Sequence, residues 1–145
     1  MPEIEGTVER ITYYNPDSFY TVARLTLRDK EDLVTAVGYL PELEAGEVLK
    51  LCGDWVFHKD YGRQFHVERY ETLLPSSARE IENYLASGII KGIGPVTAKR
   101  IVDRFKEKAL EVLSHTPDEL LLIEGIGEKR LQGILASFEE QQETR

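Results

Sequence analysis

The hydrophobic period of this chain changes once, at Pro75-Ser76-Ser77. Upstream, apolar and polar residues alternate in short runs separated by turn-forming clusters. Downstream, apolar residues recur at i, i+3, i+4 and i+7. A period of two buries one face of a strand and a period of 3.6 buries one stripe of a helix, and neither pattern serves the other geometry. The spacing therefore predicts two small domains, all-β over residues 1–75 and all-α over 76–145, each with its own core.

Five segments of the first part are rich in Val, Leu, Tyr, Thr and Phe: 3–12, 19–28, 33–40, 48–59 and 63–73. Turn signals lie between them, at Asn15-Pro16-Asp17-Ser18, Asp29-Lys30-Glu31-Asp32, Glu44-Ala45-Gly46-Glu47 and Asp60-Tyr61-Gly62. In the second segment Ala23, Leu25 and Leu27 oppose Arg24, Thr26 and Arg28; in the fourth, Leu49, Leu51, Trp55 and Phe57 oppose Lys50, Cys52, Asp54 and His58. Five short strands in about 70 residues fit a small closed or nearly closed barrel, which removes exposed sheet edges. An oligonucleotide-binding (OB) barrel is the expected solution. An SH3-like barrel has a compatible strand count.

The second part predicts helices over 78–87, 95–105, 107–114, 117–122 and 128–140. Ser77 with Glu80, and Thr116 with Glu119, have capping-box spacing, and Pro117 suits a first helical position. The last residues, Glu139-Glu140-Gln141-Gln142-Glu143-Thr144-Arg145, continue a polar helix with no cap or Gly/Pro stop. That ending is expected of a chain cut from something longer. Within this part Gly92-Ile93-Gly94 returns 33 residues later as Gly125-Ile126-Gly127, and the next helix repeats too. Ala98, Ile101, Val102 and Phe105 correspond to Leu131, Ile134, Leu135 and Phe138.

Each repeat reads helix, Gly-apolar-Gly turn, helix. The first glycine permits a positive φ, the apolar residue plugs the two helices together, and the second glycine lets another backbone approach. The N–H groups of the following helix then point outward with the positive end of its dipole, an arrangement suited to phosphate. In the first copy, Gly92, Gly94, Val96 and Thr97 can donate from the backbone around Ile93, while Lys91, Lys99 and Arg100 add charge. Such contacts position DNA without reading its sequence. In the second copy, around Gly125, Ile126 and Gly127, only Lys129 and Arg130 are basic, and Glu124 and Glu128 flank the turn. The first copy is the expected grip and the second is expected to serve packing at least as much as binding.

Charge distribution agrees with that ranking. The chain carries a formal charge of −8, which argues against a generally basic nucleic-acid coat. Residues 88–108 are the one positive block, with 6 basic and 2 acidic groups, and they span the first glycine turn. One cysteine excludes an internal disulfide framework. No apolar run reaches membrane-spanning length and the acidic start is not a signal peptide, so a cytoplasmic protein without a membrane partner is expected.

The pattern Gly-Ile-Gly, three residues, Ala, then apolar residues resembles the helix-hairpin-helix motif, and 77–140 looks like a tandem pair. A barrel followed by such a pair is similar to the RuvA Holliday-junction protein and to the N-terminal region of RecD/TraA-type ATP-dependent DNA helicases. The helicases are the better match. Asn15-Pro16-Asp17-Ser18-Phe19-Tyr20-Thr21-Val22-Ala23-Arg24, Val37-Gly38-Tyr39-Leu40-Pro41, His58-Lys59-Asp60-Tyr61-Gly62-Arg63-Gln64-Phe65 and Tyr84-Leu85-Ala86-Ser87-Gly88-Ile89-Ile90 resemble that family throughout. The resemblance implies DNA as partner, single-stranded or duplex, and helicase motor domains beyond Arg145. The chain itself lacks the Gly-x-x-x-x-Gly-Lys-Ser/Thr loop, so it is expected to be non-catalytic and to hold no cofactor. ATP and Mg are implied for the motor only.

Tyr14, Tyr20 and Tyr61, beside turns, are the candidates for stacking bases on the barrel. A barrel that docks on the motor or on a partner protein is the alternative. His58, His66 and His115 have no ligand spacing, and no metal site is expected.

Overall fold

The computed structural model describes residues 1–30 and 32–143. Contacts divide the chain into two compact units, Met1–Leu74 and Pro75–Arg145. Glu31 of the second predicted turn, and Thr144 and Arg145 of the polar end, lie outside the described residues.

The first unit is a closed five-stranded barrel: β1 (Glu3–Tyr14), β2 (Tyr20–Leu27), β3 (Leu33–Tyr39), β4 (Val48–His58) and β5 (Gly62–Leu73). The strands run around the barrel in the order β1-β2-β3-β5-β4, and β4 pairs back with β1. The pairing of β3 with β5 is parallel, from Thr35 opposite Gln64 to Val37 opposite His66. This five-strand ring is the OB-like form expected from the sequence. Alternation is clearest in β2, where Thr21, Ala23, Leu25 and Leu27 point inward. Ala23 and Leu25 share a core with Val8, Ala36, Leu49, Leu51 and Phe65, the last with no exposed surface. Trp55 packs edge-on against Phe65, with ring centroids 5.0 Å apart.

The fourth strand departs from its expected pattern. Leu49 and Leu51 are buried, but Phe57 is 80% exposed. The register shifts between Cys52 and Gly53, and Phe57 pairs with Arg63 one step from the hairpin turn. The extra residue of that shift, Glu68, lies on β5, so β4 keeps its alternation through the buried Gly53 to Trp55, and Phe57 stands in solvent where the strand reaches the hairpin.

The described residues of the second unit form α1 (Ala78–Ala86), α2 (Pro95–Phe105), α3 (Ala109–His115) and α4 (Glu128–Glu143). Its core gathers Ile81, Leu85, Ile90, Ile101, Leu120, Leu131 and Ile134. The Ser77 hydroxyl caps α1 by accepting from the Glu80 N–H at 3.1 Å. The Glu80 carboxylate accepts from the Ser76 N–H at 2.9 Å, one residue earlier than the expected reciprocal bond.

Two expectations are corrected. The helix placed at 107–114 is a 3-10 turn, Lys106–Lys108, followed by α3. Lys106 takes φ 52°, which ends α2 before the next helix starts. The segment Pro117–Leu122 is 3-10 rather than α, and the Thr116 side chain does not cap it. There the Glu119 N–H goes to the Thr116 carbonyl at 3.0 Å, and the Ile123 N–H goes to Leu120 at 3.0 Å. Six residues of i→i+3 bonding satisfy this short connector without the nucleation a full α-helix needs.

Phe65→Ala removes the largest side chain fully buried in the barrel and should cost about 3–5 kcal/mol. The only tryptophan, Trp55, touches that ring. Urea unfolding monitored by its fluorescence should therefore show the lower midpoint.

Candidate nucleic-acid interface

The two Gly-Ile-Gly turns have the same backbone. Gly92 and Gly125 adopt φ 92° and 94°, a region that side chains rarely enter. A Cβ on Gly92 would also lie 2.8 Å from Cγ1 of Ile134, on the helix behind the other turn. Ile93 and Ile126 are buried plugs. Their N–H groups turn back to Ile90 (3.4 Å) and Ile123 (3.1 Å), residues again 33 apart. Gly94 is extended (φ −103°, ψ −176°) and begins α2, with Pro95 next and no side-chain cap. Gly127 plays the same part for α4, accepting from the Leu131 N–H at 2.9 Å as Gly94 accepts from Ala98 at 2.8 Å.

The first-turn N–H groups of α2, at Val96 and Thr97, therefore have neither a helical acceptor nor a side-chain cap. Val96 is exposed at 63%, whereas the Thr97 side chain is buried. Lys91 and Lys99 are exposed. Lys99 forms an i,i+4 ion pair with Asp103 at 3.1 Å, both side chains more than half exposed. A pair so solvated is worth little and can be exchanged for another anion.

The arginines assigned to phosphate are placed differently from the lysines. Arg130 donates Nε–H to the Gly92 carbonyl (2.9 Å), one Nη to Gly125 (3.0 Å) and the other to the Thr97 hydroxyl (3.0 Å). Arg100 donates to the carbonyl of Glu124 at 3.1 Å. A planar guanidinium offers donors in a fixed fork, so Arg130 can span both turns at once, which a lysine cannot do. The Lys91 N–H is also occupied, by the Ser137 hydroxyl of α4 at 2.8 Å. These cross-connections give the second copy a structural task, and no spacing rule points to them.

On the barrel, Tyr20 lies in a line of rings with Tyr13 and Tyr39. Tyr14 is half-buried, and Tyr61 stands at the β4–β5 turn against His58 at 4.7 Å. Turn signals in the sequence miss Tyr13 and Tyr39, which cross-strand register brings to Tyr20. Cys52 is half-buried and donates its thiol to Glu3 at 3.3 Å. That carboxylate pushes the thiol up, and the same bond, with Lys50, holds Glu3 below its usual range. No cluster able to hold a metal, and no helix long and apolar enough to cross a membrane, occurs among the described residues.

Arg130→Ala should lower stability by about 1–2 kcal/mol, read from the helical signal at about 222 nm, because it strands two carbonyls that a charged donor had satisfied. Arg130→Lys should recover little of that loss. Alkylation of Cys52 at mildly alkaline pH should be slow and should quicken in Glu3→Ala.

Comparison with known proteins matches this geometry. Residues 1–75 match the model for the OB-fold domain of the ATP-dependent DNA helicase YrrC, and residues 83–140 match the SAM-like helix-hairpin-helix tandem. The ATP-dependent RecD2 DNA helicase of Deinococcus radiodurans is 26% identical over 143 residues, covering 95% of this chain. The chain spans about a fifth (20%) of that relative's length. Among solved structures, the OB domain of a Methanosarcina mazei protein aligns with 49% of this chain and 70% of its own, at 21% identity and a TM-score of 0.38. The chain belongs to the RecD-like ATP-dependent DNA helicase family, of which it carries the OB-fold domain and the tandem helix-hairpin-helix.

Proposed function

We propose that the helical unit holds DNA by its backbone phosphates, without sequence specificity, chiefly at the first Gly-Ile-Gly turn. The observation that carries this reading is the start of α2: an extended glycine and a proline, then N–H groups without a cap, flanked by the exposed Lys91 and Lys99. Oriented N–H groups and the helix dipole favour an anion there, and a phosphate lacks the sequence information that would make the contact selective. The second turn has the same backbone but is flanked by Glu124 and Glu128, and its arginine is engaged in bracing. It contributes mainly by keeping the first turn rigid.

In this reading the chain is a non-catalytic, cytoplasmic DNA-holding region. Helicase motor domains of the same polypeptide, with ATP and Mg, perform the work. Its homology to a much longer helicase supports that division.

Fluorescence anisotropy with duplex DNA across a salt series tests the grip. Lys91→Ala and Lys99→Ala should each weaken binding and reduce the log–log salt slope by about 0.9. Lys129→Ala should have a smaller effect. Absence of binding at low salt, or an unchanged slope in both lysine variants, would overturn the reading; an equal effect of Lys129→Ala would overturn the asymmetry.

A further inference from the structure

The two hairpins share a backbone but not what they show to solvent. At the 33-residue offset, Gly88-Ile89-Ile90-Lys91 corresponds to Leu121-Leu122-Ile123-Glu124. Ile90 and Ile123 are buried alike. Ile89 is also buried, at 4% exposure, whereas Leu122 in its place is 59% exposed. Leu121, where the first copy has a glycine, is 36% exposed.

The 3-10 segment Pro117–Leu122 accounts for this open pair. Side chains three residues apart eclipse in a 3-10 turn. Leu120 and Ile123 lie that far apart, joined through the Ile123 N–H, and both enter the core. Leu121 and Leu122 are left outside it. The same repeat places the exposed Asp118 one turn before Leu121 and the exposed Glu119 one turn before Leu122, a rise of about 6 Å.

Charge is inverted along with burial. Lys91 and Pro95 of the first copy become Glu124 and Glu128, and Lys99 and Arg100 become Gln132 and Gly133. From Thr116 to Glu128 the charged residues are Asp118, Glu119, Glu124 and Glu128, without a base among them. All four are exposed, and none forms an ion pair among the described residues. Glu128 occupies the first turn of α4, so a carboxylate stands where the backbone would otherwise receive phosphate.

Single exposed leucines are commonplace. An adjacent pair inside an unanswered acidic tract differs, because apolar surface calls for cover and the carboxylates call for cations. Nucleic acid and anionic lipid bring the wrong charge. A second copy of a chain with formal charge −8 brings mostly repulsion. A cationic protein segment answers both needs. We infer that Leu121 and Leu122, with Asp118, Glu119 and Glu124 about them, dock a partner-protein segment that presents apolar residues flanked by lysine or arginine. The leucines supply contact area, and the carboxylates speed the encounter and set its orientation. This surface does not rest on the phosphate reading of the first turn.

The test uses a fluorescein-labelled amphipathic helix of leucine and lysine, about 14 residues or four turns long, added to the whole chain. It should bind saturably, one peptide to one chain, and a leucine–glutamate peptide should not bind. Leu122→Ser should weaken binding about tenfold, the scale of one buried leucine, and Leu122→Met should not. Glu119→Gln/Glu124→Gln should weaken it too and flatten its salt dependence. No saturable binding, or affinity unchanged in Leu122→Ser or in the glutamine pair, overturns the proposal. So does self-association that Leu122→Ser disperses, which makes a second copy the occupant, or duplex affinity lost in Leu122→Ser, which makes it DNA. Failure of the phosphate reading shows separately, as duplex affinity indifferent to Lys91→Ala and Lys99→Ala. Leu122 is open enough to solvent that its serine variant stays folded, and the helical signal verifies this.

Discussion

The guanidinium of Arg130 ties the helical unit together. It reaches the Gly92 carbonyl of one turn, the Gly125 carbonyl of the other and the Thr97 hydroxyl on the helix behind the first. Each turn carries a glycine at positive φ, a conformation without side-chain packing of its own to hold it. Packing supplies part of the restraint, with Ile134 filling the space where a Gly92 side chain would stand. The charged fork supplies the directional part. Together they hold the two turns as one rigid pair.

That brace changes how the basic residues divide their work. Arginine suits a fixed carbonyl because its donors are planar and rigid, and Arg100 and Arg130 both point at backbone oxygens. Lysine is a mobile point charge, and Lys91, Lys99 and Lys129 stand out in solvent. The division between residues that brace the turns and residues left in solvent follows head-group geometry rather than net charge, which the two residue types share.

The barrel shows the same separation between a face that folds and a face that is left over. Its core is assembled by the inward residues of β2 and their partners around Phe65. The outward residues do little for that core, yet they carry aligned rings and a facing arginine pair. Antiparallel sheets can leave one face to solvent, and a closed barrel cannot hide it.

Much of this is legible in sequence because local periodicity reports directly on burial. The switch of period at Pro75, the alternation of Ala23, Leu25 and Leu27, and the repeated Gly-Ile-Gly turns mark both architectures and the candidate grip. Local signals fail where a neighbour in space intervenes. Phe57 falls on the inward alternation of β4 but stands in solvent beside the hairpin end, and Thr116 loses its capping role to its own carbonyl. Sequence by itself determined which residues could line each face, since side-chain direction is fixed by strand and helix periods. Only the tertiary structure decided which of them meet: Tyr13 with Tyr20 and Tyr39, Arg10 with Arg24, and Arg130 with Gly92 across 38 residues. Register, chain closure and hydrogen-bond direction are properties of the folded whole, and no window of sequence contains them.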